Sequence, residues 1–112
     1  MRIAIPVAEG RLAMHFGHCQ EFALCEVDEA ARQAGETSYA QPPAHAPGVL
    51  PKWLAEQGAE MIIAGGMGSR AQSLFAQSGI KVLVGAPSLT PDEIVEAYLS
   101  GKLETGTNIC DH

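Results

Sequence analysis

Between Val49 and Gly101 the sequence alternates three helix-spaced segments with two short apolar runs, and few folds satisfy that alternation. Val49–Gln57 reads as a helix, with Pro51 tolerable only in its first turn and Gly58 suited to its end. Ala59–Gly65, centred on Met61-Ile62-Ile63-Ala64, reads as a buried strand. A second helix opens at Gly68 or Ser69, keeps Ala71, Leu74, Phe75 and Ser78 at three-to-four spacing, and ends at Gly79. Ile80–Val84 is a further buried strand. Thr90-Pro91-Asp92-Glu93 joins a capping box to a proline at the first helical position. The helix it starts is expected to bury Ile94, Val95, Tyr98 and Leu99 and to stop at Gly101. Strands separated by helices in this way should run parallel, with right-handed crossovers.

Ahead of this block, Arg2–Val7 reads as a first strand. Pro6 cannot donate to a ladder and is expected to end regular pairing there. Ala8–Cys19 carries Glu9-Gly10 and Phe16-Gly17-His18 and reads as turn and loop. Glu21–Asp28 is a second strand, apolar on both faces in its middle and so central. The loop between these strands is too short for a crossover helix, which makes them antiparallel. A weaker strand covers Glu36–Gln41, and Gln41–Gly48, with three prolines around His45, is loop. The order β-β-β-α-β-α-β-α predicts an α/β fold, a mixed five-stranded sheet with helices packed on it. Residues 1–112 form one domain with an irregular tail over 102–112.

Charge narrows the partners. Thirteen acidic residues against 7 basic ones give a formal net charge of -6. Nucleic-acid phosphates are normally met by a basic face, so such a partner is not expected. Any anion would have to be captured by a local positive site against the overall field. The first residues already read as a core strand rather than a signal peptide, and no apolar run approaches the ~20 residues that cross a bilayer. A cytoplasmic protein is expected, its Cys19, Cys25 and Cys110 kept as thiols. Cys25, mid-strand, and Trp53, on an apolar helix face, read as core. Cys110 and His112 lie in a tail that carries too few ligands for a closed zinc site.

Two segments carry chemistry. In Ile62-Ile63-Ala64-Gly65-Gly66-Met67-Gly68-Ser69-Arg70-Ala71 a buried strand enters three glycines within four residues and then a helix. Glycines leave no Cβ between main chain and ligand, and the first N–H groups of a helix lack internal partners at its positive end. Gly65, Gly66, Met67, Gly68 and Ser69 can therefore seat an anion, with Arg70 adding a full charge. A glycine-rich corner needed only for close packing would look the same. The second segment is Met14-His15-Phe16-Gly17-His18-Cys19. Two imidazoles, a thioether and a thiol within six residues suit soft or borderline metals, with His15, His18 and Cys19 as candidate ligands. Each alone is equally an ordinary surface or core residue. If strand one neighbours the strand ending at Gly65, both segments share the edge where open α/β sheets bind ligands. Catalytic patterns are missing: strand one has no carboxylate, and no serine sits in a nucleophile elbow.

His15-Phe16-Gly17, the turn Gly65-Gly66-Met67-Gly68-Ser69-Arg70-Ala71, the run Ala76–Val82 and the ending Ala97–Leu103 together resemble the dinitrogenase iron–molybdenum cofactor-binding family. The resemblance covers nearly the whole chain. It implies a ribonuclease-H-like mixed sheet without nuclease activity, and the carriage or assembly of molybdenum- or iron-containing clusters. Its small members imply a molybdenum–copper sulfide cluster, or a related molybdenum/iron–sulfur cluster, held without covalent bonds. His15, Phe16 and Gly17 match the family's loop, and Gly65, Gly66, Gly68 and Arg70 its turn. Cys19 stands where many members have a small apolar residue, which leaves thiolate ligation open. The resulting expectation is a non-enzymatic carrier with a protein that donates or receives the cluster. A phosphate-binding enzyme or sensor using the same turn, and a metal-responsive adaptor, are the alternatives.

Overall fold

The structure, a computed structural model, describes residues 1–14, 20–43 and 48–103. Among these residues six strands form one mixed sheet: β1 (Arg2–Ala8), β2 (Arg11–Leu12), β3 (Glu21–Asp28), β4 (Gln33–Ala40), β5 (Met61–Ile63) and β6 (Lys81–Leu83). The helices are α1 (Val49–Glu56), α2 (Ser69–Gln77) and α3 (Pro91–Leu99). The strand order is β4-β3-β1-β5-β6, with β2 paired to the end of β1. β1 is antiparallel to β3 and parallel to β5, which is parallel to β6. The mixed sheet with packed helices is as expected, with one strand more.

That extra strand comes from Ala8–Cys19, read as turn and loop. Ala8 pairs with Arg11 across Glu9 and Gly10, both at positive φ (54° and 80°), as a tight two-residue hairpin turn requires. Pro6 does not end pairing either, since it sits opposite Phe22 within the β1–β3 ladder. Its carbonyl accepts from Ala13 N–H at 2.8 Å, on the side away from β3. On that side pairing passes from β5, at Ile3 and Ala4, to β2, at Val7 and Ala8. Proline's missing donor falls in the gap between them, where no ladder bond is lost.

Alternate residues of the central strands feed two cores. Ile3, Ile5, Val7, Ala23, Cys25, Met61 and Ile63 pack under α3 through Ile94 and Val95. Ala4, Phe22, Leu24, Ile62 and Ala64 pack on the other face with Leu50 and Leu54 of α1 and Phe75 of α2. Trp53 is half-buried against this second core, its ring 5.8 Å from that of Phe22. Tyr98 and Leu99, expected to be buried, are half-exposed, and Tyr98 donates through its hydroxyl to Glu29 at 2.8 Å. Ile80–Val84, read as a buried strand, is an edge: Lys81 is exposed, with Val82 and Leu83 half-buried.

The capping box of α3 forms as its sequence dictates. Thr90 Oγ1 accepts from Glu93 N–H at 3.3 Å, and Glu93 Oε1 accepts from Thr90 N–H at 3.1 Å. Bonds from Thr90 hold the Glu93 carboxyl below its usual 4.5. A carboxyl depressed in the folded state stabilises above its unfolded pKa, and the benefit disappears as pH falls through the lower, folded value. Thr90→Ala is expected to cost about 1 kcal/mol near neutrality, the typical worth of such a cap. Urea melts should show this gap narrowing as the solution is acidified; a gap constant with pH would argue against the carboxyl's part.

Candidate functional site

β1, β5 and β6 are parallel, so their carboxyl ends meet at one rim of the sheet. Three connections emerge there: the hairpin and its continuation after β1, the glycine turn after β5, and residues 84–90 after β6. They are stitched together by the main chain. Leu12 N–H donates to Leu89 O at 2.8 Å and Gly85 N–H to Gly65 O at 2.7 Å. Ser88 Oγ donates to Leu12 O at 3.0 Å, and Arg11 Nη1 to Ser88 O at 3.3 Å. Such long-range bonds leave no periodicity in the sequence. The one available signal was Glu9-Gly10, a two-residue turn between short strand-like pairs.

Of the loop segment singled out by its chemistry only Met14 is among the described residues, and it meets the glycine turn. A Cβ on Gly65 would stand 3.0 Å from Met14 O and 3.1 Å from Met14 Cα, so the main chains touch where glycine alone leaves room. After Met14 the next described residue is Gln20, whose N–H donates to Val7 O at 2.8 Å. His15, Phe16, Gly17, His18 and Cys19 themselves lie outside the described residues, as do His45, Cys110, His112 and the tail from 104. Among the described residues no group of three or more His, Cys, Asp or Glu is placed to hold a metal ion. Cys25 stays in the core, 1% exposed, and burial pushes its thiol up, which disfavours the thiolate a metal needs.

The glycine turn runs from buried Gly65, Gly66 and Met67 to exposed Ser69 and Arg70. Gln72 Nε2 donates to Met67 O at 2.9 Å and pins the corner from within the helix. Gly68 is the N-cap, at φ -64° and ψ 154°, and no side chain caps the helix. Among the described residues, its chain neighbours aside, no atom stands within 4 Å of where its Cβ would be, and the first turn of α2 carries no acidic residue. α3 is the opposite case, with its Glu93 amide engaged by Thr90 and with Asp92 and Glu93 in its first turn. The start of α2 therefore presents amide hydrogens and the positive end of the helix to the rim without internal neutralisation. Arg70, exposed in this turn, makes no ion pair among the described residues.

A separate cleft of about 580 Å³ lies between β4 and α3, lined by Arg32, Thr37, Asp92, Val95 and Glu96 among others. Its acidic flank disfavours an anion, so it is not the site the glycine turn forms. No helix among the described residues is long and apolar enough to cross a membrane.

Comparison with known proteins agrees with this fold. The protein MJ0580 of Methanocaldococcus jannaschii is 35% identical over 107 residues, covering 93% of this chain and 90% of that one. The crystal structure of PH0822 superposes with a TM-score of 0.85 at 26% identity, over 94% of each chain. The apo form of the orange protein of Desulfovibrio gigas superposes at 0.69 with 26% identity, over 96% of this chain and 93% of that one. A sequence profile described as dinitrogenase iron–molybdenum cofactor matches residues 1–101, and the chain belongs to that family.

Proposed function

We propose that this chain is a non-enzymatic, cytoplasmic carrier of an anionic molybdenum-containing metal–sulfide cluster. The cargo is seated between the segment Met14–Cys19 and the turn Gly65–Arg70 and held by charge and shape. A molybdenum–copper sulfide cluster, or one resembling an iron–molybdenum cofactor, fits the description. A partner protein donates or receives it. The observation that carries this reading is the start of α2: without a side-chain cap, free of acidic residues in its first turn, and open beside Gly68 among the described residues, next to the glycine turn that Met14 touches. Membership of a family described by an iron–molybdenum cofactor points to the same class of cargo.

A guest already saturated with sulfide needs no protein thiolate. Amides at the helix start, the Arg70 guanidinium and an apolar wall are then sufficient. Anaerobic addition of thiomolybdate and copper to the protein should give visible charge-transfer absorption at a fixed stoichiometry. Arg70→Ala should weaken uptake about five- to ten-fold, a modest figure because the charge is exposed and screened. Absence of uptake by the wild type would remove the proposal. Inorganic phosphate or nucleotides serve as controls, because raised thermal stability with those alone would favour a phosphate-binding enzyme or sensor.

A further inference from the structure

We propose that Met14 sets the preference of this rim for sulfide-terminated over oxygen-terminated anions, an inference that rests on the carrier reading above. Amides at a helix start attract either kind of anion, so the start of α2 cannot discriminate by itself. What stands beside it can. Met14 is 44% exposed, one of two large hydrophobic residues exposed among those described; the other, Tyr39, is on β4. A single exposed apolar side chain is ordinary on a protein surface. Met14 differs because its main chain is wedged against Gly65 and follows Ala13, whose N–H is bonded to Pro6 O. Those contacts fix the Met14 main chain at the rim, where the residue is exposed beside the glycine turn.

A methionine side chain is polarisable and offers no hydrogen-bond donor. A compact oxyanion such as molybdate holds its water tightly. Against Met14 it would lose hydrogen bonds to water and receive none in return. Thiomolybdate spreads the same charge over larger, softer sulfur atoms. It gives up less hydration and gains dispersion contacts with the thioether and methyl group.

The test is a pair of equilibrium titrations, tetrathiomolybdate and molybdate, on the wild type, Met14→Gln and Met14→Leu. Each variant is read as the ratio of its two dissociation constants on one sample, so any change in folded fraction cancels. The wild type should favour tetrathiomolybdate. Met14→Gln, of similar length but with amide donors, should narrow the ratio about ten-fold, whereas Met14→Leu should hold it within about two-fold. An unchanged ratio in Met14→Gln overturns the inference and leaves the carrier reading standing. Equal losses in Met14→Leu and Met14→Gln also overturn it, because sulfur ligation rather than an apolar wall would then be at work. Failure of the wild type to bind tetrathiomolybdate at all overturns both.

Discussion

Aspartate in place of Gly68 is expected to make the protein more stable and to weaken uptake of thiomolybdate severely. Gly68 holds extended N-cap geometry, and among the described residues nothing beyond its chain neighbours stands where a Cβ would go, so an aspartate is expected to enter without strain. Its carboxylate can accept from the amides of Arg70 or Ala71, the second and third residues of α2, which no side-chain cap engages. Capping and the helix dipole each contribute a few tenths to about 1 kcal/mol, and loss of glycine's freedom in the unfolded chain adds a similar amount. A gain of about 1 kcal/mol should raise Tm by roughly 4–8 °C. The same carboxylate places a fixed negative charge where the cargo's charge would sit. Near a protein surface, like charges ~4 Å apart repel by several kcal/mol, enough for a loss of about 100-fold in affinity. Gly68→Asn separates the two effects, because it caps without the charge and should cost far less binding. If Gly68→Asp takes up thiomolybdate like the wild type, the start of α2 is not the anion site.

The opposed effects of that substitution reflect how differently fold and site are written in the sequence. Glu21–Asp28 and the capping box of α3 are legible because each is a local pattern, an apolar run in one case and a Thr-Pro-x-Glu signature in the other. β4 is legible only in part. Its start at Gln33 lies ahead of the expected Glu36, in residues with little strand propensity, because β3 supplies the pairing. The register shifts there, Gly35 and Glu36 standing together against Glu26, so the strand does not keep a single alternation. Ile80–Val84 shows the reverse fault. Its apolar residues were real, yet a strand's exposure depends on whether another strand lies beyond it, and among the described residues none does. The glycine turn could be read because its three glycines are a local anomaly. Contact between Met14 and Gly65 could only be expected, because proximity across some fifty residues depends on β1 and β5 being neighbours.

Gly65→Ala is expected to destabilise the protein and weaken uptake together, for a reason distinct from the one at Gly68. Its φ is not in the left-handed region, so alanine is conformationally permitted; the obstacle is contact. The added methyl would stand 3.0 Å from Met14 O, 3.1 Å from Met14 Cα and 3.1 Å from Leu12 Cδ2. Leu12 could rotate away, but the Met14 main chain cannot move freely, because Ala13 N–H is bonded to Pro6 O and Leu12 N–H to Leu89 O, each at 2.8 Å. Overpacking of this kind typically costs 1–3 kcal/mol, here a fall in Tm of roughly 5–15 °C. Any relaxation pushes Met14 off the turn and opens the rim, so thiomolybdate affinity should fall even in the fraction that stays folded. A double-mutant cycle with Leu12→Ala decides which neighbour is responsible. Leu12→Ala alone should cost about 2–5 kcal/mol as a cavity. If the Met14 main chain is the obstacle, deleting the leucine side chain makes no room for the methyl, and the two losses should add within about 0.5 kcal/mol. Recovery of more than about 1 kcal/mol in the double variant would instead assign the clash to Leu12 and free the Met14 backbone from its part in shaping the rim.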